Sequence, residues 1–109
     1  MRIRRDSDNS VNEDILILAK VSDALAHPVR ILIFQFIMRE NKLAHTVCNK
    51  DVVANFDYAQ ATISQHIKTL IKSGLIEVIK KDKYSYYTVN IGMYGRYIDV
   101  VKKFIRQGL

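Results

Sequence analysis

Between residues 60 and 72 the polar side chains Gln60, Thr62, Ser64, Gln65 and Lys68 are interleaved with Ile63, Ile67, Leu70 and Ile71. Hydroxyl and amide groups donate and accept hydrogen bonds, the chemistry that reads base edges in a DNA groove, while a lysine ammonium pairs with phosphate. A second basic group, Lys80, Lys81 and Lys83, follows shortly after. Catalytic chemistry has much less support. His45 and Cys48 make a weak nucleophile-base pair without an orienting group, and the chain has neither a glycine-rich phosphate loop nor paired carboxylates with a plausible pocket. No enzyme activity and no cofactor are expected.

Composition agrees with a polyanionic partner. The 109 residues suit one domain, 49% of them are hydrophobic, and 17 Lys and Arg against 11 Asp and Glu give a net charge of +6. The opening MRIRR runs into DSDNS rather than an apolar stretch, and no segment approaches the length of a membrane span, so a soluble cytoplasmic protein is expected. One cysteine fits a reducing compartment.

The elements that position these residues follow from periodicity. Residues 1–10 are too polar to offset the entropy of ordering them and are expected to be a disordered arm, with 11–109 forming a single domain. Ile15, Leu18, Val21 or Ser22, and Leu25 mark a first helix from about 11 to 26, capped by Ser10 or Asn12. Pro28 restarts the chain in a second helix to about Glu40, apolar on much of its circumference and expected at the centre of the core. Residues 41–48 show no period. A short helix near 49–55 precedes a longer one at 60–73, stopped by Gly74. The β-rich segments 75–80 and 84–91 flank Lys81-Asp82-Lys83 as a hairpin with a basic tip, in which alternation places Tyr87 and Val89 against the core and Tyr84 and Tyr86 opposite. A last helix near 92–107 carries Tyr94, Ile98, Val101 and Ile105 on one stripe. The expected fold class is mainly α with a small β-hairpin: a winged helix-turn-helix of five helices and a two-stranded wing.

ALAHPVRILI at 24–33, DVVANFDYAQATISQHIKTLIKSGLI at 51–76 and DKYSYYTV at 82–89 resemble the opening, recognition segment and wing of the ArsR/SmtB repressors. The resemblance covers roughly residues 15–105. It implies a homodimer built on the first and last helices, binding an imperfectly palindromic double-stranded operator and releasing it when a metal ion or other signal is sensed. Two departures bear on that signal. Many members carry Cys-x-Cys before an Asp at the start of the third helix, whereas this chain has Cys48-Asn49-Lys50 before Asp51, and residues 92–109 contain no histidine for the alternative site on the last helix. Soft metals need three or four suitable ligands, so no metal site is expected.

The expected DNA contacts are Gln60, Thr62, Ser64, Gln65, Lys68, Lys81 and Lys83. Gln60 has an alternative use, because Asp57-x-x-Gln60 fits a capping box. His66, beside the apolar stripe, and Arg30, in the second helix, are expected to be structural; Tyr58 either touches the DNA backbone or covers the turn. Arg2, Arg4 and Arg5 are either part of the disordered arm or a minor-groove contact. The rival to DNA binding is a winged-helix module used only for protein assembly.

Overall fold

The computed structural model describes residues 12–108. The arm at 1–10, with Arg2, Arg4, Arg5 and the alternative cap Ser10, lies outside the described residues. The chain forms helices α1 (Glu13–Ala24), α2 (Pro28–Lys42), α3 (Asn49–Asn55) and α4 (Gln60–Lys72), strands β1 (Ile76–Lys81) and β2 (Tyr84–Val89), and helix α5 (Ile91–Gly108). Five helices and a two-stranded antiparallel sheet give the expected winged helix-turn-helix.

Local chemistry explains most boundaries. Asn12 is the cap of α1, its Oδ1 accepting from the Ile15 N–H at 3.0 Å. Pro28 occupies the first turn of α2, where the neighbouring His27 Nδ1 accepts from the Val29 N–H at 3.2 Å. Gly74 follows α4 with φ +88, and a Cβ there would meet Met93 Cε at 3.2 Å, so both backbone and space favour glycine. The expected three-residue hairpin tip is shorter: Lys81 pairs with Tyr84, leaving Asp82 and Lys83 as the turn. Asp82 takes φ 58, a left-handed conformation that aspartate tolerates. The second strand also stops earlier than expected. The Asn90 N–H donates to the Leu75 carbonyl at 2.8 Å and its Oδ1 accepts from the Met93 N–H at 3.0 Å, so Asn90 ends the sheet and caps α5, and Ile91 becomes helical.

The core gathers around α2 as expected, through Ile33 and Ile37, with Val21 of α1, Val52 of α3, Ile63, Ile67 and Leu70 of α4, and Ile76 of β1. The stripe anticipated on α1 turns inward only in part. Val21 is buried and Leu18 and Leu25 half-buried, but Ile15 is exposed, and Ile17 and Ala24 complete the core face instead. Residues 41–48, which have no period, are held by partners distant in sequence. Tyr87 N–H donates to the Val47 carbonyl at 2.8 Å, and Asn41 Oδ1 accepts from the Val89 N–H at 2.9 Å, which ties the root of the wing to the end of α2.

Helix α5 packs along α1. Tyr94 meets Phe34 edge-on at 5.2 Å, and Tyr97 Oη and Ser22 Oγ are hydrogen-bonded at 2.9 Å. At the solvent edge Arg96 pairs with Glu13 and Lys103 with Asp14, both at 2.7 Å. The hydrogen bond from Lys103 lowers the Asp14 carboxyl below its ordinary value. These pairs are exposed, so they orient the two helices more than they stabilise the fold.

Arg30 joins the ends of two helices, as expected. Its Nε donates to the Ala24 carbonyl at 2.7 Å and Nη2 to the Asp23 carbonyl at 3.3 Å, placing a cation on the last carbonyls of α1. Arg30→Ala is expected to lower stability by about 1.5–3 kcal/mol, the usual range for hydrogen bonds to a charged group, as measured by urea unfolding. An unchanged midpoint would remove Arg30 from this structural role.

Candidate nucleic-acid interface

Helix α4 has one apolar and one polar face. Ile63, Ile67 and Leu70 are buried, while Gln60, Ala61, Thr62, Gln65, Lys68 and Lys72 are exposed. Thr62 and Gln65, three residues apart and so on one face of the helix, are therefore presented to solvent on a rigid element whose opposite side is locked into the core. Lys68 continues that face one turn further on.

The capping box proposed for Asp57 and Gln60 does not form. Ala59, extended at φ −61 and ψ 147, is the cap residue, so Gln60 is the first helical residue rather than the third, and no side chain caps this end. Ser64 differs from its expected neighbours in being half-buried. Its Oγ accepts from Asn49 Nδ2 at 3.3 Å, which directs it to the α3–α4 contact rather than outward.

The two wing lysines fall on different sides. Lys83 lines the cleft between the wing and the helices that also contains Gln60 and Lys50. Lys81 lines another depression, with Asn41, His45 and Tyr86. The structure thus brings Gln60 and Lys83 together and leaves Lys81 apart. Lys50 is not among the DNA contacts expected from the sequence, where its place at the head of a helix-turn-helix is the one signal for it. Tyr84 and Tyr86 lie on the wing face away from the core, as alternation predicts, with ring centroids 6.2 Å apart.

His66 lies between α4 and the start of α2. Its ring centroid is 4.6 Å from that of His27, and Nδ1 is 3.4 Å from Arg30 Nη1. Burial, then the neighbouring His27 and Arg30, hold its pKa below 6.5. The unfolded chain consequently binds this proton more readily than the folded one, so stability is present above pH 6.5 and declines as pH falls below that value. Denaturant unfolding at about pH 7.5 and about pH 5.5 should show a smaller loss for His66→Gln than for wild type. Equal losses would contradict this role.

Cys48 caps α3. Asp51 Oδ2 accepts from the Cys48 N–H at 2.9 Å and from its Sγ at 3.3 Å. His45 has a different partner, Glu40 Oε1 at 3.0 Å. Among the described residues no three or more His, Cys, Asp or Glu side chains are grouped to hold a metal ion, and no helix is long and apolar enough to cross a membrane.

Residues 27–78 match the family model described as bacterial regulatory protein, arsR family. No curated protein sequence matches the chain. Among solved structures, an ArsR-like transcriptional regulator from Rhodococcus sp. RHA1 is 20% identical, with a TM-score of 0.68 over 84% of this chain and 79% of that one. The homodimeric winged helix-turn-helix DNA-binding domain of a possible ArsR-family transcriptional regulator from Mycobacterium bovis is 18% identical, with a TM-score of 0.65 over 100% of this chain and 94% of that one. The transcriptional repressor BigR from Xylella fastidiosa is 18% identical, with a TM-score of 0.56 over 98% of this chain and 99% of that one. At such identities the likeness establishes the fold, a winged helix-turn-helix. The matched segment contains α2, α3, α4 and the turn into the wing, so over this part the chain is similar to the arsR family, and its fold is that of a winged helix-turn-helix protein.

Proposed function

We propose that this protein is a dimeric, sequence-specific DNA-binding repressor acting in the cytoplasm on a palindromic operator. The observation that carries this is the outward face of α4, where exposed Thr62, Gln65 and Lys68 stand on a helix anchored by Ile63, Ile67 and Leu70. Thr62 and Gln65 read base edges in the major groove, and Lys68 and the wing lysines hold phosphates. Ser64 serves as a joint to α3 and contributes less directly.

Dimerisation through α1 and α5 is supported by apolar surface that one protomer leaves open. Leu16 is 55% exposed, Phe104 46% and Ile105 54%, and Ile98 and Val101 are only half-buried. Covering this band with a second copy would set two α4 helices on one face of the pair, which suits a two-fold symmetric site.

The releasing signal does not act through the family's usual soft-metal site. Lys50 stands where a thiolate would be needed, and Cys48 is engaged with Asp51. Selection from random duplexes should enrich a palindromic element bound far more tightly than scrambled DNA. Recovery of no preferred element would favour the protein-assembly alternative.

A further inference from the structure

The cleft between α3, the first turn of α4 and the wing has a volume of about 440 Å³ and is lined by Lys50, Gln60, Lys83, Ser85, Tyr84 and Tyr87, among others. Its described lining includes two ammonium groups from separate elements and no carboxylate. Lys50 is exposed at the start of α3, and Lys83 is exposed in the two-residue turn of the wing. Lys50 is also the residue that departs from the resembling family's Cys-x-Cys pattern, putting a lysine at a position where the pattern has a metal ligand. The cleft therefore combines positive charge, amide and hydroxyl groups, and aromatic surface.

We propose that this cleft seats one sugar-phosphate strand of the duplex whose bases α4 reads, with Lys50 and Lys83 on its phosphates and Gln60 as a backbone contact rather than a base reader. The proposal rests on the DNA-binding function above. With Thr62 and Gln65 in a major groove and the wing reaching past its edge, the strand that borders the groove passes between them. That is where the cleft lies. A phosphodiester strand suits the lining because its charge meets the two ammoniums while its sugar meets the exposed Tyr84 ring, and the first turn of the 13-residue α4, which no side chain caps, adds its positive end. A contact of this kind positions the duplex and carries no sequence information.

Ethylation interference and a salt series test it, with Lys50→Ala, Lys50→Arg and Lys83→Ala compared on the selected duplex and on scrambled DNA. Lys50→Ala should weaken both DNAs alike, by roughly eightfold per lost contact at about 0.1 M salt relative to about 1 M, and reduce the salt slope by about two per dimer. Lys50→Arg should restore the wild-type slope. Phosphates whose ethylation blocks wild type but no longer matters to Lys50→Ala should adjoin, on one strand, those lost by Lys83→Ala. A wild-type slope in Lys50→Ala, or loss of phosphates on opposite strands in the two variants, overturns the strand seat while DNA binding stands. If wild type binds no duplex, both the seat and the function above fall.

Discussion

Ile98→Asp is expected to convert the protein from a species of twice the 12.6 kDa chain mass to a monomer, and to abolish tight operator binding with it. Ile98 is half-buried in the protomer, on a helix whose Val100 and Tyr97 already face α1, so its remaining surface is available to a second copy. An uncompensated carboxylate in such a seam costs about 3–5 kcal/mol, which weakens association by a hundredfold or more. Operator affinity should collapse by at least a similar factor, because each α4 then binds its half-site alone. Ile105→Asp provides the control for misfolding. At 54% exposure in the protomer, Ile105 contributes little to the protomer's own core, so this variant should keep the wild-type unfolding midpoint per chain at low concentration and still fail to dimerise. Sedimentation at micromolar concentration reads both variants. Dimers in both would reject the α1–α5 interface.

Gln65→Ala and Lys83→Ala are expected to fail in different ways. Gln65 is exposed on the face of α4 opposite its core residues, so loss of its amide should cost on the order of 1–3 kcal/mol per half-site on the selected duplex and relax preference at one or two base pairs. Binding to scrambled DNA should barely change. Lys83 sits in the turn of the wing, and its loss should weaken selected and scrambled DNA equally, flattening the salt dependence by about two units per dimer. Affinities across a salt series separate the two. Identical behaviour of both variants on both DNAs would remove the division between a helix that specifies and a wing that anchors.

The parts of this arrangement that were legible in the sequence are those fixed by local pattern. Ile63, Ile67 and Leu70 recur at helical spacing, so both the existence of α4 and its outward face follow from the chain alone. The wing follows in the same way from alternation, with Tyr87 and Val89 buried and Tyr84 exposed. Features decided by distant partners were not legible. The segment 41–48 is held by a backbone bond from Tyr87 to Val47 and by the side chain of Asn41, neither of which leaves a local signature. Asp57 and Gln60 have the spacing of a capping box, yet the helix begins too late for it. Ser64 looks like an outward polar residue until Asn49 of the preceding helix is placed beside it. Lys50 and Lys83 are likewise remote in sequence, and the turn of the wing back toward α3 is what makes them neighbours on one cleft.

Two copies of α4 that read successive major grooves of one duplex require half-sites at a fixed spacing. Affinity should be measured for the selected operator and for a version with about 5 additional base pairs, roughly half a helical turn, between its two halves. The insertion rotates one half-site to the far side of the duplex while leaving every contacted base unchanged. Affinity should drop to near the level of scrambled DNA, and an insertion of about 10 base pairs should be tolerated better than one of about 5. Equal affinity for the original and the half-turn insertion would mean that the two α4 helices do not read one duplex together.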